Sequence, residues 1–139
     1  MGLFSGKPPP GLGVHAGKFK PCSWKPNCVS STADHIIDAT HFVEPLKITG
    51  NAGPAWAAAV ALVKSVPRVT IVTESEVYLR AEYHSKAMGY VDDVELALDA
   101  AAKLIQIRSA SRLGVRDFGV NRARAESLRT RLKAALAAA

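Results

Sequence analysis

The sequence has 139 residues, of which 48% are apolar and 6% aromatic, and its formal net charge is +6. A chain of this length and apolar content is expected to form one globular domain with a mainly aliphatic core, which excludes a disordered protein. No segment approaches the roughly 20 apolar residues of a transmembrane helix. The N-terminal residues also lack the apolar core of a secretory signal, so we expect a cytoplasmic protein without a membrane span.

The first 50 residues are predicted to lack regular structure, because prolines recur through them with glycines in between. Such a long irregular segment is uncommon inside a compact domain. We predict that residues 1–20 form a flexible N-terminal arm and that residues 21–139 form a single α+β domain. The apolar residues of HIIDATHFVEPL (35–46) indicate that the part of the chain between 21 and 50 wraps around the core.

Regular elements are predicted in the remainder of the chain. A helix is expected over 54–66, since Pro54 suits the first helical position and Pro67 ends the apolar pattern. Four strands with β-branched or alternating residues are expected at 69–74, 77–83, 90–98 and 103–109. The short DAAA connection between the last two strands predicts a hairpin, and a second helix should begin near Asn121. The predicted fold is therefore α+β, a four-stranded antiparallel meander with two helices on one face and an irregular, wrapping N-terminal segment.

The positive charge is concentrated near the C-terminus. Residues 108–133 contain eight basic and two acidic residues, whereas the rest of the chain is balanced. This distribution indicates a local positive patch, for which a solvated arginine face on a surface helix is the commoner explanation. Nucleic acid is not the expected partner, because Phe118 is the only aromatic residue in the patch and no known nucleic-acid-binding motif is present.

Three segments together match the sequence pattern of a known family: PNCVSS (26–31), GYVDDVELAL (89–98) and IRSASRLGVRDFGVNRARAESLR (107–129). Together they resemble a bacterial and chloroplast family known as domain of unknown function 1499. Many members carry a signal peptide, a lipid anchor or a membrane helix before this domain, and none is expected here. The family has no established activity.

The resemblance implies that the positions marked in the family gather in one place. We therefore predict that the loop 109–120 packs against residues 26–31. The marked positions in this chain are Asn27, Cys28, Ser30, Ser31, Asp92, Asp93, Arg108, Ser109, Ser111, Arg112, Asp117, Phe118, Gly119, Asn121 and Arg122.

The arginine-rich loop has the features of an anion site. Gly114 and Gly119 permit close approach of the backbone, and a helix that begins near Asn121 presents free N–H groups to an anion. Arginines add bidentate contacts to phosphate or carboxylate. We therefore predict a non-catalytic domain that binds an anionic small molecule or an acidic protein partner through this loop. The predicted ligand-binding residues are Asn27, Cys28, Ser30, Asp92, Asp93, Arg108, Ser109, Ser111, Arg112, Asp117, Asn121 and Arg122.

An alternative is that the same arginines form structural ion pairs with acidic residues of the domain. Alternation along 90–98 places Asp93 and Glu95 on one face of the sheet and Asp92 on the other. A hairpin with 103–109 brings Arg108 opposite this acidic strand, where cross-strand ion pairs form. Both alternatives stay open, with an internal pair favoured for Arg108 and an anion favoured for Arg112.

The cysteines and histidines allow two further hypotheses. Cys22, Cys28, His35 and His41 lie within twenty residues, but their spacing is wider than that of paired zinc ligands, so no metal and no cofactor are expected. Two buried reduced thiols are expected rather than a disulfide, as in other cytoplasmic proteins. The alternative function is a hydrolase-like enzyme that uses Cys28 or the serines of PNCVSS beside the arginine loop. No P-loop, nucleophile elbow or dinucleotide fingerprint supports an enzyme, so none is favoured.

Overall fold

A computed structural model describes residues 4–138 of the chain. Within these residues neither helix combines the length and apolarity that crossing a membrane requires. In chain order, the elements of this part are β1 (Val14–His15), β2 (Lys18–Phe19), β3 (Cys28–Ser30), β4 (Leu46–Lys47), α1 (Ala52–Lys64), β5 (Val69–Glu74), β6 (Tyr78–His84), β7 (Val91–Asp99), β8 (Leu104–Ser111) and α2 (Val120–Ala138).

The α+β class is confirmed, but the predicted four-stranded meander is wrong because it is too simple. Strands β5 to β8 are joined in an antiparallel meander. Strands β3 and β4 both pair with β8 and extend this sheet to six strands, while β1 and β2 form a separate two-stranded sheet. The added strands have two or three residues each, which is too short for an alternating pattern to show in the sequence.

One face of the large sheet packs against both helices. Alternation along β6, β7 and β8 places small and branched residues on this face, and all of them are buried: Leu79, Ala81, Val94, Leu96, Ile105 and Ile107. Helix α1 buries Trp56, Val60 and Val63, whose spacing of four and three residues defines one helical stripe. Helix α2 buries Asn121, Ala125, Leu128 and Leu132 at the same kind of spacing. The core therefore contains one buried polar side chain of α2, at its N-terminal end.

The opposite face of the sheet is charged and lies under the N-terminal segment. The backbone N–H of Gly13 donates to Glu95 Oε2 at 2.7 Å. Arg108 Nε donates to the carbonyl oxygen of Lys20 at 2.9 Å, and Phe19 is buried. These contacts cover side chains of β7 and β8 that would otherwise face solvent. The flexible arm expected for residues 1–20 stays a prediction, and residues 1–3 lie outside the described part of the chain.

Cys22 and Cys28 form a disulfide, with their Cα atoms 5.7 Å apart. The expectation of two reduced thiols is therefore wrong. The sequence could not decide this, because the pairing depends on the path of an irregular segment that bends over residues 24–27 before it enters β3.

Reduction of this disulfide is expected to lower the free energy of unfolding by about 2 kcal/mol, because it frees a short closed loop in the unfolded chain. Urea unfolding with and without reductant measures the difference. Thiol titration in denaturant without reductant is the control, and it should find no free thiol. Two titratable thiols under those conditions would contradict the disulfide.

Candidate functional site

The prediction that the loop 109–120 packs against residues 26–31 is confirmed. Strand β3 pairs antiparallel with β8, so that Cys28 lies opposite Ala110. The backbone N–H of Ser111 donates to the carbonyl oxygen of Asn27 at 3.0 Å, and Asn27 Nδ2 donates to the carbonyl oxygen of Gly114 at 2.8 Å. The two segments that the family resemblance marks are therefore in direct contact.

The sheet nevertheless divides the predicted site residues between its two faces. Adjacent residues of a strand point to opposite faces, and Asp92 lies opposite Ser111 while Asp93 lies opposite Ala110. On the helix face is a group that we call the Asn121 cluster: Asn27, Asp92, Ser109, Ser111, Asp117, Asn121 and Arg124. On the face under the N-terminal segment is a group that we call the Arg112 cluster: Arg80, Glu82, Asp93, Glu95, Arg108 and Arg112.

The Asn121 cluster is a buried hydrogen-bond network at the start of α2. Asn121 is fully buried; its Nδ2 donates to Ser111 Oγ at 2.9 Å and to Asp117 Oδ2 at 2.8 Å. Its Oδ1 accepts from the hydroxyl of Ser109 at 2.6 Å. Asp117 also accepts from the backbone N–H groups of Gly119 and Asn121 at 2.9 and 3.0 Å. The network therefore fixes the loop to the helix that follows it.

Asp117 stays ionised in this network. Burial alone raises its pKa, but the hydrogen bonds from the Asn121 side chain and from backbone N–H groups outweigh burial, so that the pKa is lowered overall. A carboxylate at this position also interacts favourably with the N-terminal end of α2. The negative charge of Asp117 is therefore stabilised by donors of the loop and of α2.

Arg124 is a member of the Asn121 cluster that the sequence analysis did not select. Its Nη1 lies 2.9 Å from Asp92 Oδ2, 3.0 Å from Ser109 Oγ and 2.9 Å from Asn121 Oδ1. Its guanidinium carbon lies 4.5 Å from the centroid of the Tyr83 ring. Since Arg124 follows Asn121 by three residues in a helix, the two side chains share a face, and this spacing could have identified it.

The centre of the Arg112 cluster is a bidentate ion pair. The Arg112 side chain is 4% exposed and that of Asp93 is 2% exposed. Arg112 Nε donates to Asp93 Oδ2 at 2.8 Å, and its Nη2 donates to Asp93 Oδ1 at 2.9 Å and to Glu82 at 2.5 Å. Arg80 also donates to Asp93, at 3.0 Å. The hydrogen bonds to Asp93 and Glu82 raise the pKa of Arg112 against the effect of burial.

Arg112 therefore has the geometry of the internal-pair alternative. The sequence favoured an anion for this arginine, but its Nε and Nη2 contact acidic side chains of the domain. An external anion that bound to these two nitrogens would have to displace the carboxylate of Asp93, which has little access to water.

Glu95 and Arg108 form a second and looser pair in the same cluster. Glu95 is fully buried and accepts from the hydroxyl of Tyr78 at 2.6 Å, and both burial and this bond raise the pKa of Tyr78. Arg108 Nη1 lies 3.6 Å from Glu95 Oε1, which is too long for a hydrogen bond. Burial lowers the pKa of Arg108, and the charge of Glu95 opposes this effect. Arg108 is thus held mainly by Lys20 and by the Glu95 charge.

The remaining predicted residues have separate partners. Cys28 is bonded to Cys22, and Ser30 Oγ lies 3.1 Å from Thr32 Oγ1. Arg122 belongs to neither cluster and donates to the carbonyl oxygen of Thr40 at 2.9 Å.

Within residues 4–138, the side chains of the proposed nucleophiles form no hydrogen bond with a histidine ring. Ser31 donates to Gln106 Oε1 at 2.7 Å. The ring of His41 lies 2.6 Å from Asp38 and 2.8 Å from the carbonyl oxygen of Lys25, while the ring of His35 packs against Phe42. Among residues 4–138, no cluster of three or more His, Cys, Asp or Glu side chains is arranged to hold a metal ion.

Two arginines next to the clusters have no acidic partner in the part of the chain that the structure describes. Arg116 is exposed, and Arg122 contacts only a backbone carbonyl oxygen. Both line a surface cavity of about 360 Å³, in which Phe118 is 99% exposed. Gly119, with a φ of 77°, gives the chain the left-handed turn that leads from this loop into α2. We call this cavity, lined by Pro26, Val29, Thr40, Arg116, Asp117, Phe118, Gly119 and Arg122, the loop pocket.

Comparison with known proteins identifies a family for most of the chain. The sequence model of a family described as "Protein of unknown function (DUF1499)" matches residues 18–132. The matched range contains both clusters and the loop pocket, and it confirms the resemblance seen in the three segments. Neither the curated proteins nor the solved structures contain a significant match.

Proposed function

Because the chain belongs to the DUF1499 family, whose description assigns no activity, we propose from its geometry that it is a non-catalytic domain whose arginine-rich loop binds an anionic ligand in the loop pocket. The observation that carries the proposal is a pair of cations, Arg116 and Arg122, that have no acidic partner within residues 4–138 and lie beside an exposed aromatic ring. Arginine binds carboxylate and phosphate groups through paired N–H donors. The Asn121 cluster holds the loop in place before a ligand arrives, which reduces the entropy cost of binding.

The choice of arginines differs from the one that the sequence favoured. Arg108 and Arg112 are buried against Glu95 and Asp93. Breaking a buried ion pair leaves a charge without compensation and is strongly unfavourable. Arg116 and Arg122 need no such rearrangement, so they are the loop arginines that an anion reaches first.

The ligand class that fits the loop pocket best is an acidic protein segment. Phe118 is 99% exposed, whereas small-molecule sites usually enclose most of their ligand and their lining side chains. Arginine and aromatic side chains together are enriched in protein interfaces. A partner segment with carboxylates beside an apolar residue complements this surface, while an anionic small molecule remains the second ligand class.

The geometry of the described residues does not support the hydrolase-like alternative. The sulfur of Cys28 is used in the disulfide, and the hydroxyls of Ser30 and Ser31 are within hydrogen-bonding distance of Thr32 and Gln106. Nucleophilic catalysis needs a base within hydrogen-bond reach. This geometry supports the non-catalytic proposal.

A cytoplasmic location, expected from the sequence, remains a proposal, and the Cys22–Cys28 disulfide opposes it. Disulfides persist in oxidising compartments and are rare in the cytosol. Treatment of intact cells with a membrane-permeant maleimide before lysis tests the location through the thiols. Modified cysteines support the cytoplasm, whereas cysteines that react only after reduction contradict it.

Titration with a hexaglutamate peptide at low salt tests the binding function by calorimetry. We expect the wild type to bind, and the double variant Arg116→Ala/Arg122→Ala to bind at least about tenfold more weakly, because it loses charge-assisted hydrogen bonds. The matched control is Arg129→Ala/Lys133→Ala, which removes the same charge from another part of the surface. An equal loss of affinity in both double variants would show that binding depends only on the net charge of the protein. That result would contradict a specific site.

A further inference from the structure

A second pocket lies between α2 and the edge of the sheet where β5 begins and β6 ends. Its volume is about 430 Å³. We call it the basic pocket, and the residues that matter for its chemistry are Arg68, Tyr83, Lys86, Arg124, Ser127 and Arg131.

The basic pocket has an excess of positive charge. Asp92 is the one acidic residue in its lining, and its carboxylate is paired with Arg124 at 2.9 Å. Arg68, Lys86 and Arg131 are exposed and have no acidic partner within residues 4–138. Three cations around one cavity repel each other and raise the local concentration of anions.

A buried hydroxyl without a partner adds a directional donor. Tyr83 is 8% exposed and forms part of the pocket wall, and its hydroxyl has no hydrogen-bond partner among the described residues. A buried polar group in this state is unfavourable and calls for an explanation. Burial raises the pKa of Tyr83, against the effect of Arg124 and Arg131, so the hydroxyl keeps its proton at neutral pH and is able to donate it to an anion.

The wall of the pocket also suits an organic group. Val66, Leu128 and the ring of Tyr90 line it together with the cations. The volume lies within the range of small-molecule sites, which leaves room beyond a single oxyanion. Ser127, exposed on α2, adds a hydroxyl at the rim.

We propose that the basic pocket binds a small phosphate monoester, with Arg68, Lys86 and Arg131 around the phosphate and the Tyr83 hydroxyl as a donor to one of its oxygens. A phosphate dianion matches three cations better than a carboxylate does, because it has more charge and more acceptor oxygens. This site is separate from the loop pocket and does not depend on the function proposed for it.

Calorimetric titrations with phenyl phosphate and with inorganic phosphate, at constant ionic strength, test the proposal. Phenyl phosphate should bind the wild type more tightly than inorganic phosphate does, because the apolar wall contacts its ring. Tyr83→Phe should weaken phenyl phosphate binding about tenfold, as should Arg131→Ala. The matched control is Lys133→Ala, which removes one exposed charge of α2 outside the basic pocket and should bind like the wild type.

The stability of Tyr83→Phe separates a ligand donor from a structural hydroxyl. Removing a buried hydroxyl that has no partner should leave the urea midpoint unchanged or raise it, while affinity for phenyl phosphate falls. Unchanged affinity in Tyr83→Phe and Arg131→Ala would overturn the proposal, as would the absence of binding by the wild type at millimolar phenyl phosphate. Equal affinity for inorganic phosphate and phenyl phosphate would overturn the monoester assignment.

Discussion

Replacing Arg112 with alanine is expected to lower the free energy of unfolding by about 3–5 kcal/mol, because it leaves the buried carboxyl group of Asp93 without its bidentate partner. The side chain of Asp93 is only 2% exposed, and Arg80 supplies it with a single hydrogen bond. Urea unfolding followed by circular dichroism measures the loss. The control is Arg116→Ala, which removes the same charge from an exposed side chain and should change stability by less than about 0.5 kcal/mol.

A double-mutant cycle keeps this prediction testable if Arg112→Ala does not fold. Arg112→Lys retains the charge but cannot form the bidentate hydrogen bonds to Asp93, so it should fold with an intermediate loss of stability. Asp93→Asn removes the charge that Arg112 neutralises, and in its presence the cost of Arg112→Lys should shrink. Near-wild-type stability of Arg112→Ala would show that this arginine is not a structural residue.

Replacing Asn121 with alanine is expected to lower the free energy of unfolding by about 3 kcal/mol, since each buried polar group left without a partner costs about 1–3 kcal/mol. The variant leaves Ser109 and Ser111 without the amide that joins them. Asp117 Oδ2 loses the side-chain donor and keeps only the backbone N–H of residue 121. Urea unfolding measures the loss, and the control is the neighbouring Arg122→Ala.

Amide hydrogen exchange gives a second readout for Asn121. Because Asp117 and Asn121 join the loop to the start of α2, the first turn of α2 should lose protection in Asn121→Ala more than the end of β8 does. Unchanged protection together with unchanged stability would show that the network does not hold the helix in place.

Much of the fold was predictable, because the longer elements have periods that show in the sequence. The residues of β5, β6, β7 and β8 alternate or are β-branched, and the predicted strands agree with them to within two residues at each end. Helix α1 begins at Ala52 rather than at 54, since Asn51 is the N-cap and Pro54 lies in the first turn. Strands β3 and β4 were missed because two or three residues are too few to show an alternating pattern. Both strands also pair with β8, which is far away in the sequence.

The candidate site was predictable in residue type but not in arrangement. The alternation rule placed Asp92 and Asp93 on opposite faces, whereas the resemblance implied one site, and the structure follows the alternation. Which arginines form internal ion pairs depends on the register between β6 and β7, because this register sets Glu82 opposite Asp93. The register cannot be read from the sequence. The unpaired hydroxyl of Tyr83 depends on the position of α2, so it gave no signal in the sequence.

We propose that Arg112 stabilises the fold and that Arg116 and Arg122 bind the anion. The most direct test is the increase in free energy of unfolding that a saturating hexaglutamate peptide causes, compared between Arg112→Lys and the double variant Arg116→Ala/Arg122→Ala. We expect Arg112→Lys to be less stable than the wild type but to keep the full increase. The double variant should have wild-type stability, and its increase should be smaller by at least about 1.4 kcal/mol, the equivalent of a tenfold loss of affinity. Wild-type stability of Arg112→Lys together with loss of its increase would contradict the account, since the peptide would then bind through Arg112.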